Sequence, residues 1–211
     1  MRGCDPVEFS HLVGSDLVAL TVHPFCSAEA RHCGILMSVN PLEPPDSHYL
    51  RAAEGWLELG HPSEASQELR KINPELRGHP EVLEVRWQVC AQSEKWNPCA
   101  EIGKALVELA PDRVASWIYR AYGLRRATGG SLQVAWDALL PAVEKFPEDH
   151  VISFNLACYA CQMGRLPEAR IWLKRALEIA EKDGKQNLVW LRALDDPDLE
   201  PLWEDIGTIE P

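Results

Sequence analysis

The sequence predicts an all-α chain, a solenoid of stacked helical hairpins, and three observations carry that expectation. One pattern of small and large residues recurs through residues 46 to 183 at a spacing of about 34 positions, the length of one two-helix unit in a repeat array. Glycine stands where the first helix of a unit has to turn, and proline stands where a second helix opens or a unit closes. With 46% hydrophobic residues and eight tryptophans in 211 residues, the chain carries enough apolar surface for a sizeable core.

The unit is plainest from Asn155, where the chain reads NLACYACQMGRLPEARIWLKRALEI. Small residues at Ala157, Ala160, Ala169 and Ala176 let two helices approach closely, while Leu156 and Leu173 fill the gaps between units. Gly164 sits at the turn, a position that tolerates left-handed backbone angles, and Pro167 opens the second helix, whose first N–H groups lack intrahelical partners in any case. These residues, at this spacing, closely resemble a tetratricopeptide repeat (TPR). The register recurs from about Val114 with Trp117, Ala121, Ala135, Leu139, Ala142 and Pro147, the turn Gly129-Gly130 being one residue longer. A unit from about Pro80 has Leu83 and Trp87, then Cys99 at the usual alanine position, Leu106 and Pro111, with Glu94-Lys95 where glycine is usual. The first unit, from about Asp46, carries Tyr49, Ala53, Trp56, Gly60, Ala65, Leu69 and Ile72. The units fall at about 46-79, 80-113, 114-149 and 150-183. Three or more are needed, because one hairpin cannot bury its own apolar face. The resemblance implies a right-handed α-α superhelical solenoid of about four TPR hairpins over residues 37-183 plus a C-terminal capping helix.

Residues 184-211 are expected to form capping helices and a tail. The run from Asn187 to Leu194 is apolar, with Trp190 and Leu191, and Asp195-Asp196-Pro197-Asp198 breaks it. Asp198 is a plausible N-cap for a helix from Leu199 to Ile206, with Leu199, Leu202, Trp203 and Ile206 on one face. The phrase DPDLEPLW resembles the tail after the last repeat of many bacterial TPR proteins. Residues 1-36 contain no Lys and no Trp, hold three of the seven cysteines and show no sustained helical period. They are expected to be a poorly structured extension upstream of a natural start at Met37, the alternative being a short element from Leu17 to Val22 docked on the first repeat.

Composition narrows the function. With 21 basic against 32 acidic residues the net charge is -11, which repels phosphate backbones and anionic lipid, so no nucleic-acid or membrane partner is expected. No apolar run approaches the roughly 18 residues of a membrane span. Seven scattered cysteines fit reduced thiols in a cytoplasmic protein better than a secreted disulfide framework. Cys158 and Cys161 form a C-x-x-C, but no second pair completes a metal site, and mid-helix thiols beside Ala157 and Ala160 lack the helix N-terminus that activates a redox pair. They are read as small packing residues. None of the seven histidines pairs with Ser or Cys in a nucleophile motif, and Gly129-Gly130-Ser131 is a turn, not a phosphate loop. Neither an enzyme nor a metal or cofactor is expected.

The resemblance places a partner on the concave face lined by the first helix of each unit. Transferred one by one, those positions are Leu50, Glu54, Leu57 and Glu58, then Glu81, Glu84, Gln88 and Gln92, then Ile118, Tyr122, Arg125 and Arg126, then Val151, Phe154, Cys158 and Gln162. An acidic entrance gives way to an arginine and aromatic patch and then to an apolar end. Arg125 and Arg126 beside Tyr122 and Phe154 are expected to grip a carboxylate while an apolar side chain packs on the rings. The alternative is that these charges only solvate a helix face. The dicarboxylate clamp for heat-shock chaperone tails needs Lys and Asn where Leu50, Glu54 and Gln88 stand, so those tails are not expected to bind. The expected function is a cytoplasmic, bacterial scaffold or adaptor, monomer or homodimer, that binds a protein or peptide; the alternative is a chaperone-like module shielding a hydrophobic partner, as in TPR secretion chaperones.

Overall fold

A computed structural model describes residues 41–206. The expectations for residues 1-36 and for a start at Met37 lie outside the described residues. Helices α1 (Asp46–Glu58) and α2 (Pro62–Lys71) form the first hairpin, followed by a 3-10 turn at Pro74–Leu76. Helices α3 (Pro80–Gln92) and α4 (Trp96–Leu109) form the second, and α5 (Val114–Arg126) and α6 (Leu132–Leu139) with the short α7 (Ala142–Lys145) the third. Helices α8 (His150–Gln162) and α9 (Leu166–Lys182) form the fourth, and α10 (Gln186–Asp195), a 3-10 segment at Pro197–Leu202 and α11 (Trp203–Ile206) complete the described chain. The first helices α1, α3, α5 and α8 touch in sequence and make one continuous layer of an α-solenoid.

Burial explains why the repeat pattern specifies this packing. Ala53, Ala65, Ala121, Ala135, Ala157, Ala160, Ala169 and Ala176 are all 0% exposed, so each sits where two helix backbones meet and a longer side chain would hold them apart. Cys99 takes the same role at 0% exposure, its Sγ 3.7 Å from the carbonyl of Trp87. Trp87 fills the space between the second and third hairpins and stacks on Tyr119 at 4.5 Å. Trp56, part of the same pattern, is instead 38% exposed and packs edge-on against His61. The second helix of the third hairpin is divided. Pro141 has no N–H to continue the ladder, the chain kinks after Leu139, and Ala142 still reaches the core from α7.

The turns share one hydrogen-bond geometry. After α1, α3, α8 and α9 a residue with positive φ is followed by an N–H that reaches back five residues: His61 to Trp56, Lys95 to Cys90, Arg165 to Ala160 and Lys185 to Ala180. Glycine holds the left-handed position in three of them, at Gly60, Gly164 and Gly184, and Glu94 holds it in the fourth with φ of 55°. The turn is therefore imposed by the hairpin, not by the residue. A Cβ in this region costs about 1 kcal/mol or more. Glu94→Gly is expected to raise the Tm by about 2 to 4 °C, the equivalent of about 1 kcal/mol in a chain of this size. An unchanged or lower Tm in a calorimetric scan would mean that the Glu94 side chain stabilises the turn by more than its backbone strain.

The cap departs from the expected form in one respect. Asp196, not Asp198, is the N-cap: its side chain accepts from the N–H of Asp198 at 3.0 Å, and Pro197 occupies the first position of the segment that follows. That segment is 3-10 rather than α through Leu202, with Pro201 inside it. Leu199 and Leu202 are fully buried, whereas Trp203 stays 37% exposed and donates from Nε1 to the carbonyl of Ala193 at 3.1 Å. The physical reason is a long-range one, because the Asp198 carboxylate is taken by Arg125.

Candidate functional site

The acidic half of the first-helix layer is partly committed to internal contacts. Glu54 and Glu58 are exposed on α1, but Gln88 donates from Nε2 to Tyr119 Oη at 3.2 Å, and Gln92 donates to the carbonyl of Leu57 at 3.0 Å. Leu50 and Leu57 are buried in the core cluster of the first hairpin. Glu84 pairs with Arg113 at 3.1 Å, while its other oxygen is buried and has no hydrogen-bond partner among the described residues. Burial, only partly offset by Arg113 and reinforced by Glu81 and Glu54, pushes the Glu84 carboxyl up to about 7. Glu54 is raised as well: although the residue is exposed, its carboxyl is partly desolvated by its neighbours, and the charges of Glu81 and Glu58 add to this.

An acid whose folded-state pKa lies above its unfolded one binds its proton more tightly when folded. Its contribution is therefore most favourable below the usual carboxylate range and is lost as the pH rises through about 7. Glu84→Gln is expected to stabilise the protein by about 1 to 2 kcal/mol at pH 8 and by little at pH 5, after allowance for the lost pair with Arg113. Urea unfolding at the two pH values checks it. Equal effects at both would mean that Glu84 is charged throughout in the folded protein.

The other half forms a cavity. A space of about 240 Å³ opens between α5, α8 and α10, walled by Ile118, Tyr122, Val151, Phe154, Leu188 and Val189 and edged by Arg125, Arg126, Arg192, His150, Asn155, Asp196 and Asp198. Cys158 and Tyr159 complete the wall on the α8 side. The turn spacing of α8 brings Val151, Asn155 and Tyr159 to this side, with Phe154 and Cys158 one turn apart beside them. Helix α10 then closes the end, because Val189 and Ala193 anchor it to the last hairpin while Leu188, 67% exposed, overhangs the opening.

The two arginines are held in different ways. Arg125 makes a bidentate pair with Asp198, its Nη2 at 2.9 Å from Oδ1 and its Nη1 bonded to Oδ2. Burial opposes the charge on Arg125, but the hydrogen bonds and charge of Asp198 outweigh it and hold the pKa above the ordinary arginine value. Arg126 lies over the ring of Tyr122 at 3.9 Å and within 5.2 Å of Trp96, a cation–π arrangement that fixes it along the cavity edge. Gln162 stands outside the cavity and donates to the carbonyl of Asp198 at 3.1 Å.

Of the residues placed on the concave face by resemblance, the structure thus brings together Ile118, Tyr122, Arg125, Arg126, Val151, Phe154 and Cys158 at one cavity. Glu54, Glu58, Glu84, Gln88 and Gln162 lie elsewhere. Tyr159, His150 and the whole α10 wall were not singled out by the sequence, since membership of the wall depends on how the cap folds back. Cys158 is 5% exposed and Cys161 2%, and burial raises both thiols, Cys161 to about 11. Cys99 is likewise pushed by burial to about 12. Such thiols are poor nucleophiles. Among the described residues no group of three or more His, Cys, Asp or Glu is placed to hold a metal ion, and no helix is long and apolar enough to cross a membrane.

No protein-family model matches the chain, and no curated protein matches it. Among solved structures, the crystal structure of a thermophilic TPR protein from Thermus thermophilus superposes with a TM-score of 0.56 at 18% identity, covering 77% of this chain and 95% of that one. The chain has the TPR fold. Its TPR hairpins pair α1 with α2, α3 with α4, α5 with α6 and α8 with α9, and the cavity lies where the first helices of the last two TPR hairpins meet the cap.

Proposed function

We propose that the protein is a non-catalytic scaffold that binds a protein or peptide segment along the first helices of its TPR hairpins, with the cavity between α5, α8 and α10 as the anchor point. One observation carries this reading: the cavity joins apolar walls to fixed guanidinium groups at the place where two first helices converge, the combination that recognition hot spots use. Its volume of about 240 Å³ lies below the range of about 300 to 1,000 Å³ typical of sites for drug-sized ligands, and suits one side chain of a longer segment. A second reading, a chaperone-like module that shields an apolar partner, draws on the exposed apolar residues of α10, Leu188 and Leu191, 67% and 60% exposed.

Peptides selected from a displayed library against the protein test the first reading. Leu188→Glu, at an exposed position on the cavity edge, is expected to weaken the selected peptides about tenfold or more in calorimetric titration. The pair Arg170→Glu and Lys174→Glu on α9 is expected to leave affinity unchanged. Equal losses from both, or a loss from the α9 pair alone, would place binding on another face.

A further inference from the structure

The segment from Asp196 to Leu202 is attached in a different manner from the helices beneath it. Its backbone closes on itself at Asp196, whose side chain accepts from the N–H of Asp198 and whose carbonyl accepts from that of Leu199 at 2.9 Å. Pro197 and Pro201 remove two further donors. What reaches the body is a set of separate anchors: the Asp198 carboxylate on Arg125, the Asp198 carbonyl on Gln162 at 3.1 Å, and Leu199 and Leu202, both 0% exposed in the core cluster. Pro197, Glu200 and Pro201 between them are exposed. Anchors alternating with solvated positions, the apolar ones three residues apart, are how a short peptide sits in the groove of a helical protein.

The anchors fall on positions that the resemblance gives to a partner. Arg125, expected to grip a carboxylate from outside, grips Asp198, and Gln162 donates to the same residue. The segment rests on α8, a first helix of its hairpin. Burial, and after it the nearby carboxylates of Asp196 and Asp198, raise the Cys158 thiol, so a third of these positions lies close to the same turn. The ion pair is not sealed. The side chains of Arg125 and Asp198 keep 16% and 28% exposure and both border the cavity, so a second carboxylate has a path to the guanidinium.

We propose that the cap segment is an internal ligand of the first-helix layer, and that the partner it holds off is a protein segment of the same chemistry: an aspartate for Arg125, an aliphatic side chain directly after it, and another three positions further on. This rests on the groove reading above and gives it a sequence rule. A segment joined to its own site competes at an effective concentration in about the millimolar range, so the tethered copy is hard to displace. Binding from outside is therefore gated by whatever loosens the cap.

The test uses the full chain and the amidated, fluorescein-labelled peptide Asp-Pro-Asp-Leu-Glu-Pro-Leu-Trp, followed by fluorescence anisotropy. Asp198→Ala removes the internal carboxylate and leaves Arg125 in place, and is expected to bind the peptide with a Kd on the order of 100 μM. The unaltered chain should bind it more weakly by about tenfold or more. Trp203→Ala loosens the cap from the side of α10, where the indole donates to the carbonyl of Ala193, and should fall between the two. If Asp198→Ala does not fold, Trp203→Ala against the unaltered chain decides the matter. Arg125→Met with Asp198→Ala should be at least as stable as Asp198→Ala alone yet bind about tenfold more weakly, a split that a purely structural role for the pair does not produce. The peptide with Asn at its third position should lose about as much against Asp198→Ala. Affinity that is equal in the unaltered chain and the loosened variants, absent from all of them, or indifferent to the Asn peptide would overturn the inference. Library-selected peptides that bind and remain sensitive to Leu188→Glu while the cap peptide binds no variant would refute this inference and leave the groove reading standing. A cap peptide that binds where no library peptide can be selected would support the internal contact and refute the groove reading.

Discussion

Gly103→Ala is expected to lower the Tm by about 6 to 12 °C, the equivalent of about 3 kcal/mol in a chain of this size. Intrinsic helix propensity points the other way, since alanine in a helix interior is favoured over glycine by about 1 kcal/mol. The decisive fact is the crossing of α4 and α5. A Cβ on Gly103 would lie 2.5 Å from the Cα and 2.7 Å from the N of Arg120, and one on Gly123 would lie 2.8 Å from the N of Ala100. These neighbours are backbone atoms of the opposing helix, so no rotamer change can make room and the two helices must separate. Separation would open the contacts of Leu106 and Cys99 within the core cluster of the second hairpin, where both are 0% exposed. Gly55→Ala is the matched control. A Cβ there meets nothing within 4 Å, and the substitution is expected to raise the Tm by a few degrees. Like signs for the two variants in one thermal scan would show that the crossing relaxes freely.

Asp198→Ala is expected to cost about 2 to 3 kcal/mol. The pair with Arg125 is only partly exposed, at 16% for the arginine and 28% for the aspartate side chain, so removing the carboxylate leaves a guanidinium in a poorly solvated place. Exposed pairs contribute far less, typically under about 1 kcal/mol. The double variant Arg125→Met with Asp198→Ala should recover much of the loss, because the unpaired charge goes with its partner. Urea denaturation of the two single variants and the double variant measures the coupling. Losses that simply add would mean that the two groups act independently and that the bidentate geometry contributes no energy of its own.

These two results bear on what a sequence can disclose about a chain of this kind. The small residues of the repeat were legible because each unit meets its neighbour in the same way, so Ala157 and Ala169 in the plainest unit foretell the burial of Ala53 and Ala65 in the first. The second hairpin was harder to read because Glu94 stands where glycine is usual, yet the chain turns there with the same backward hydrogen bond. Gly103 and Gly123 gave no signal. Each is one glycine inside a helix, and its meaning depends on which residue of another helix lies opposite. The cap was misplaced by two residues for a similar reason: Asp195, Asp196 and Asp198 are locally equivalent caps around one proline, and the choice is made by Arg125, 73 residues away along the chain. The cavity was legible on its α5 and α8 sides, which follow the repeat. Its third wall belongs to no repeat.

The bond from Arg125 to Asp198 also alters how the array comes apart. In a stack whose units touch only their neighbours, stability is nearly a sum along one dimension, and either end can fray one unit at a time. Here the third hairpin is tied to the cap across the fourth, and Gln162 on that fourth hairpin holds the same aspartate by its carbonyl. The terminal part of the ladder is thereby closed into a loop, so α8 and α9 cannot open without first releasing the cap. Among the described residues α1 and α2 have a neighbour on one side only, and fraying within this part of the chain is expected there. Hydrogen exchange across the described residues should be graded rather than symmetric, fastest in the first hairpin and slowest in the helices that frame the cavity.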